Sequence, residues 1–507
     1  MKTCVVRRRF YSTEADNATV SVELEPGFGT PKAAIIIFTE NNAATDSFDT
    51  TLEYKNFGVG FTDGTNKGLS SFVFRDNRAA SDTRVQHSTT RFITAGTTDG
   101  TTTYYRVDTV SFIQDKINLT FANSTPQTNG HLEALFWVIS GDDVSAAVGF
   151  STYSATNGTS RAYSGLSFAP DLVFIAGGLQ GVNAGAATNA IFSLGVAKRT
   201  TGQQCSTAFF NLDNADPFEL STRVSNTHIS NYIGPTTAAT GVSASIGSFS
   251  ANGWSLTTLG TFAADRAYTF LAIKSANPDN DFALFTDFNT FTGTGRTFVG
   301  LGSTGFPPDT LIGSLSYAST RNAIQTTIAT GAASLNFFAG TATSYSKLYN
   351  GTGTITYSTA NATVSGTGTS FFYFYPGVKL YTINGDEIGQ VSSVTNATSL
   401  TLAANSLITG TAQNFTHSNF RQNTISITEN DADNSVTTSN TLISSSMFTI
   451  PTVSTIEFQA YLDTSDTAPG FYYNVTNSDA TSRVGWVLAS NDSGNKNRRR
   501  GSGAFGW

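Results

Sequence analysis

The sequence predicts an all-β protein of tandem, jelly-roll-like β-sandwich units with a small β-barrel inserted in the third. Its apolar runs are short and rich in β-branched and aromatic residues, as at Ala33–Phe38, Leu135–Ile139 and Leu172–Ile175, and clusters of Gly, Asn, Thr and Ser separate them. No segment sustains the apolar periodicity of an amphipathic helix, so helices should be few and short, and no heptad seam is visible. A motif also recurs three times along the chain.

With 507 residues the chain is long enough for several domains at roughly 100–200 residues each. Charged residues make up 13% of it, about half the usual share, so the polar surface is hydroxyl-rich and amide-rich. The 39 Phe and 18 Tyr supply cores and argue against disorder. The net charge of −7 lacks the basic footprint of a nucleic-acid binder. Arg7–Arg9 and Arg498–Arg500 are local exceptions, read as solvated residues or as contacts to an acidic neighbour. Cys4 and Cys205 are the two cysteines, which excludes a disulfide framework and predicts free thiols. The N-terminal stretch carries no secretory apolar region and no run is apolar enough to span a bilayer, so cytoplasmic synthesis without membrane insertion is expected.

The repeat reads Phe150, Arg161, Leu166; then Phe285, Arg296, Leu301; then Tyr472, Arg483, Leu488, with one spacing throughout. Strands holding Phe136, Phe270 and Phe458 precede the three segments at similar intervals. Two segments lead into a Phe-x-Pro-Asp turn and a new apolar strand, at Phe168–Ile175 and Phe306–Ile312, and Phe28-Gly-Thr-Pro31 is a looser version. Each unit is therefore expected to start at a Pro turn, whose fixed φ suits strand entry. The repeated Arg residues are expected to set the joints between units rather than to anchor a ligand. The resulting division is 1–145, 146–280, and 281–349 with 417–490 for the three sandwiches, 350–416 for the insert and 491–507 for a C-terminal tail.

Within the insert, Gly351-Thr-Gly-Thr354, Pro376-Gly377, the Asn384-Gly385 turn, the alternating strand Glu387–Val394 and Thr398-Ser-Leu-Thr-Leu402 describe an autonomous small barrel. This segment resembles the small β-barrel module of tailed-bacteriophage structural proteins. The Phe-x-Pro-Asp strand starts are similar to those of phage tail and fibre proteins, often from marine and cyanobacterial phages. The resemblance implies a virion component of tail or tail-fibre type, made in the host cytoplasm and contributing to host attachment. It also implies partners among other virion proteins, a homo-oligomer for which a trimer is the first guess, and contact with host-surface glycan. The alternatives are a capsid decoration or head-fibre protein, and a glycan-binding adhesin or depolymerase.

No catalytic, cofactor-binding or metal residue is singled out, and the chain is expected not to be an enzyme. His87, His131, His228 and His417 sit in unrelated contexts, without a His-Glu-x-x-His or paired-cysteine metal motif. No Gly-x-Ser-x-Gly elbow or complete phosphate loop is present. Asp142-Asp143, Asp279-Asn-Asp281 and Glu429-Asn-Asp431-Ala-Asp433 are the carboxylate clusters that could serve hydrolysis, and they read as solvated turns. The same loops offer oxygens suited to Ca²⁺, but none completes a calcium loop, and no cofactor is expected.

Overall fold

A computed structural model describes residues 1–491 except 11–16, 25–26, 42–47, 50–51, 76–82, 125–129, 179–189, 212–219, 233–241, 263–264, 301–305, 307, 317–320, 323–324, 327–332, 342–347, 352, 370, 372–373, 375–377, 397, 419–421, 431–437, 445–447, 452–455 and 464–469. The first unit comprises β1 (Lys2–Phe10), β2 (Thr19–Glu23), β3 (Pro31–Asn41), β4 (Phe48–Asp49), β5 (Tyr54–Thr62), β6 (Lys67–Arg75), β7 (Thr83–Ser88), β8 (Ile93–Gly96), β9 (Thr103–Ile113), β10 (Lys116–Ser124) and β11 (His131–Ser140). The second holds β12 (Val144–Tyr153), β13 (Ser160–Tyr163), β14 (Leu172–Gly177), β15 (Ala190–Lys198), β16 (Gln204–Asn211), β17 (Leu220–Ser225), β18 (Ser230–Tyr232), β19 (Val242–Ser250), β20 (Gly253–Leu259) and β21 (Arg266–Ser275).

A single helical turn, α1 (Pro278–Asp281), leads into β22 (Phe282–Asn289), β23 (Gly295–Gly300), β24 (Thr310–Ser316), β25 (Gln325–Thr326) and β26 (Ala333–Thr341). The insert follows as β27 (Leu348–Asn350), β28 (Thr354–Tyr357), β29 (Thr363–Thr367), β30 (Lys379–Thr382), β31 (Glu387–Asn396), β32 (Ser399–Leu402), β33 (Gly410–Gln413) and β34 (Phe415–Ser418). The third unit then resumes with β35 (Gln422–Asn430), β36 (Thr438–Ser444), β37 (Phe448–Pro451), β38 (Ile456–Asp463), β39 (Gly470–Asn477) and β40 (Val484–Ser490).

The three units share one strand plan. Their large sheets run β1-β11-β3-β5-β6-β7, β12-β21-β14-β15-β16-β17 and β22-β40-β24-β26-β35-β36, and their small sheets run β2-β10-β9-β8, β13-β20-β19-β18 and β23-β39-β38-β37. In each, the first strand pairs with the last and the second with the last but one, antiparallel, so the two ends of a unit close its sandwich. The units also exchange edges: β4, from the first, extends the third unit's large sheet beside β36, and β25, from the third, extends the second unit's beside β17.

Each large sheet is covered on both faces. In β3, Ala34, Ile36 and Phe38 face the first unit's own sandwich core, while Ala33, Ile35 and Ile37 face a second core built from all three units. In β14, Val173 and Ile175 face inward to their sandwich while Leu172 and Phe174 face the shared core. Double burial explains why these strands read as continuous apolar runs, whereas a strand of the small sheet such as β20 alternates between buried and half-buried positions. The three large sheets therefore form a three-sided body around a common core. Phe57, Phe192 and Phe337, on the corresponding strands β5, β15 and β26, meet with ring centroids 5.8, 5.6 and 6.2 Å apart. Hydrogen bonds cross the same joints: Trp137 Nε1 donates to Thr310 Oγ1 at 3.2 Å, Trp486 Nε1 to Thr207 Oγ1 at 3.0 Å, and Lys198 Nζ to the Phe282 carbonyl at 2.8 Å.

The insert is a nearly closed barrel with its own core of Ile355, Val364, Leu380, Val391, Leu400 and Phe415 among others. Ala412, at φ 50°, lies within β33 at a register shift in its pairing with β28, and the next strand, β34, pairs with β27 and β30 instead. Leu348 pairs with Ser418, which brings the insert's two ends side by side. Excising residues 348–418 behind a short Gly-Ser linker should therefore leave the sandwiches folded, with a thermal midpoint within a few degrees of the full chain by calorimetry.

The structure corrects three expectations about organisation. Phe150 and Phe285 lie on opening strands β12 and β22, with Arg161 and Arg296 on β13 and β23, but Tyr472 lies on β39, Arg483 just before β40 and Leu488 on β40. The third segment is thus a similar connection between the two sheets at the closing end of its unit, running from small sheet to large rather than large to small, because aromatic alternation and an Arg-bearing connection suit either crossing. The Pro turns precede β3, β14 and β24, inside each unit rather than at its start, since the opening two strands come first. Arg7, Arg8 and Arg9 are buried on β1 rather than solvated. Arg7 and Arg9 converge on Glu133 of β11, with Arg7 Nε donating to Oε2 at 3.1 Å and Arg9 Nε donating to Oε1. Arg8, on the opposite face, donates to the Ser21 carbonyl at 2.8 Å and lies over the Phe10 ring.

His87 on β7 is buried, and neither ring nitrogen has a hydrogen-bond partner among the described residues. Burial pushes its pKa down to about 4. Between the unfolded value near 6.5 and that value, the unfolded chain takes up a proton that the folded chain refuses, so stability falls as pH is lowered through this window. His87→Phe should flatten the loss between pH 6.5 and 4 by roughly 3 kcal/mol, read from urea midpoints of both proteins across that range.

Candidate functional site

The described residues contain no cluster of His, Cys, Asp or Glu able to hold a metal ion. The acidic candidates are engaged locally: Asp279 accepts from Thr200 Oγ1 at 2.6 Å and lies 3.1 Å from Lys198 Nζ, and buried Asp281 accepts from Ser275 Oγ. Asp143 accepts from the Met1 amino group at 2.7 Å. Asp431 and Asp433 lie outside the described residues, as do Arg498–Arg500. Cys4 and Cys205 are buried and form no disulfide, and burial raises the Cys205 thiol well above its ordinary pKa.

The repeat positions do not converge on one site. Arg161 bonds Asp265 Oδ2 at 2.7 Å and the Thr152 hydroxyl, and Arg483 donates to Asp479 Oδ2 at 2.6 Å and Glu457 Oε2 at 3.1 Å. In both cases the partners belong to the arginine's own unit, so these contacts brace a sandwich rather than a joint between units. Leu166 packs in the second sandwich core and Leu488 in the shared core, while Phe150 is half exposed and Phe285 packs against the third sandwich core. Leu301 lies outside the described residues, and only the backbone positions of Arg296 and Tyr472 are described.

A polar cleft of about 270 Å³ opens where the edge of the first unit's large sheet, β6–β7, meets β8–β9 of its small sheet. Arg84 and Gln86 of β7 alternate into it, beside Ser71 and Val73 of β6, because Thr83, Val85 and His87 take the opposite face. Arg91 enters from the residue preceding Phe92 and β8, with Phe92 N–H donating to the Val107 carbonyl at 2.9 Å. Asn56 forms the back wall, where its Oδ1 accepts from Gly96 N–H at 2.9 Å and its Nδ2 donates to Glu40 Oε2 at 2.5 Å.

A tight turn holds the Arg84 head in place. Gly100, at φ 70°, sits so close that a Cβ there would lie 1.2 Å from Arg84 Nη1. Asp99, one residue earlier, is held down to about pKa 2 by hydrogen bonds from the Thr97 hydroxyl and from Thr101, with a smaller contribution from the Arg84 charge. Burial lowers the Arg84 pKa, with Asp99 opposing and Arg91 reinforcing the shift. Arg84 Nε is buried and has no hydrogen-bond partner among the described residues. Arg91 lies 4.0 Å from Asp108, whose second oxygen is 2.9 Å from Arg106.

The second unit repeats this arrangement in part. Thr222-Arg223-Val224 on β17 matches Thr83-Arg84-Val85 on β7, and Ile229 N–H donates to the Ala244 carbonyl as Phe92 does to Val107, which places His228 where the first unit has Arg91. Arg223 Nε is likewise buried without a partner among the described residues, and burial, then Arg223, lower the His228 pKa. Here His228 Nδ1 is 2.9 Å from both Ser225 Oγ and Thr227 Oγ1, and β25 pairs along β17. The recurring Thr-Arg-Val is the sequence signal for this site, and it lies outside the longer-spaced aromatic repeat.

No family model matches the sequence, and no curated protein matches it.

Proposed function

We propose that the chain is a structural component of a tailed-phage virion, tail or tail-fibre associated, that contributes to host attachment and has no catalytic role. The observation that carries the reading is the union of three sandwiches around one shared core, with a separately cored barrel projecting from the third. Such a body suits a rigid particle component: edges are exchanged between units, as β4 and β25 are, and its polar surface carries little charge. The barrel's strand pattern is in keeping with the phage-module resemblance of its Gly-Thr-Gly-Thr and Thr-Ser-Leu-Thr-Leu segments. Other virion proteins are the proposed partners, together with further copies of the chain, a trimer being the first assembly to test by light scattering.

Immunogold electron microscopy of virus particles with antibody against this chain tests the assignment. Gold at the tail is the expected result. Gold over the head would replace it with a decoration role, and unlabelled particles that do contain tails would overturn the virion reading.

A further inference from the structure

We propose that the cleft between β7 and β8 of the first unit binds a carboxylate-bearing sugar, such as a uronic acid at the end or within a chain of an acidic polysaccharide. The inference goes beyond the structural role and stands or falls separately from it, because it concerns binding by the isolated chain.

Three observations lead to this ligand class. The first is the Arg84 guanidinium, whose Nε has no hydrogen-bond partner among the described residues, held in a partly desolvated cleft by the Gly96–Thr102 turn and reinforced by Arg91. A guanidinium presents its N–H groups as a planar fork that matches a carboxylate, and Arg84 lines the cleft with that fork in a partly desolvated setting. Asp99 neutralises part of the charge from the rim but does not hydrogen-bond to that nitrogen, and its oxygens are taken up by Thr97 and Thr101.

The second is the rest of the lining. Gln86, Ser71 and Thr103 bring amide and hydroxyl groups to the same space, which suits the ring hydroxyls of a sugar, and Val73 offers a small apolar surface for its C–H face. A bare anion would leave these groups unused. An apolar or peptide side chain would strand them, at a cost for each buried polar group left unpaired. The third is size: about 270 Å³ lies just below the roughly 300 Å³ at which clefts for drug-sized ligands begin, which suits one ring rather than an extended segment.

Isothermal titration of the full-length chain with a glucuronic-acid-terminated oligosaccharide, its glucose-terminated counterpart and sodium acetate tests the proposal. Saturable binding of the acidic sugar at least tenfold tighter than either of the others is expected. Arg84→Gln should abolish it, Arg91→Gln should weaken it several-fold, and Arg223→Gln, in the second unit, should leave it unchanged. Gly100→Ala should abolish it as well, by displacing the Arg84 head, so a variant outside the guanidinium remains if Arg84→Gln destabilises the fold. Equal affinity for acetate would reduce the site to a simple anion site, and equal affinity for the neutral sugar would remove the carboxylate. Either result overturns the proposal, as does undetectable binding of the acidic sugar or loss of binding in Arg223→Gln alone.

Discussion

Phe337→Ala is expected to lower the stability of all three sandwiches together, by roughly 3–5 kcal/mol, in a single calorimetric transition. Phe337 is fully buried, and its ring touches Phe57 from the first unit and Phe192 from the second. Truncation opens a cavity where three sheets converge, and none of them can collapse into it without moving the other two, so relaxation recovers little of the lost packing. Phe57→Ala and Phe192→Ala should act in the same way and to a similar extent. If the sandwiches were beads on a string, Phe337→Ala would shift one transition and leave two in place. Three separable transitions in the parent protein, or a shift confined to one of them, would refute the shared core as an energetic unit. The barrel, with its own core, is expected to contribute a separate smaller transition that none of these substitutions moves.

Glu133→Ala should be about as severe, at roughly 3–5 kcal/mol, through a different cause. Burial alone would raise the Glu133 pKa, but the Arg7 and Arg9 guanidinia overcome it and hold the carboxyl well below its ordinary value. His131 completes the cluster, with Nε2 3.3 Å from Glu133 Oε1 and its own pKa pushed down to about 4, mainly by burial and then by Arg9. Removing the carboxylate leaves two buried cations facing each other on one strand. The triple variant Arg7→Met, Arg9→Leu, Glu133→Leu should recover most of the loss, since a buried ion cluster is held against a large desolvation cost that apolar side chains do not incur. Guanidinium chloride midpoints of parent, single and triple variants decide the matter. A triple variant no more stable than Glu133→Ala would mean that the charges themselves, rather than their mutual compensation, are required.

The strand content and the barrel were legible because they depend on local pattern. Short β-branched runs, Asn384-Gly385 at a hairpin and alternation across Glu387–Val394 each report the backbone that the fold adopts. The shared core was present in the sequence too, but its signal was ambiguous. Ala33–Phe38 and Leu172–Ile175 are apolar at consecutive positions because both faces of β3 and β14 are covered, and a continuous run does not say what covers the second face. Arg7–Arg9 misled for a related reason: on one strand, alternate arginines share a face, and Glu133, which pairs with two of them, lies more than a hundred residues away. The cleft at Arg84 depends on Gly100 and Asp99 in a turn across the sandwich, a proximity that only the fold supplies. Its nearest sequence clue was the Thr-Arg-Val shared by β7 and β17.

Because the three sandwiches are written into one chain, they are free to differ in a way that identical subunits around an axis cannot. A homotrimer of one sandwich would carry three barrels or none, and three equal clefts or none. Here one side bears the barrel, another the Arg84–Arg91 pair, and the remaining one the Arg223–His228 variant of that pair. A body of this kind keeps a triangular outline while being chiral in function about its own axis. On any threefold-symmetric seat such a body would have three equivalent docking orientations, each directing a different feature outward, unless a neighbour reads the asymmetry and selects one.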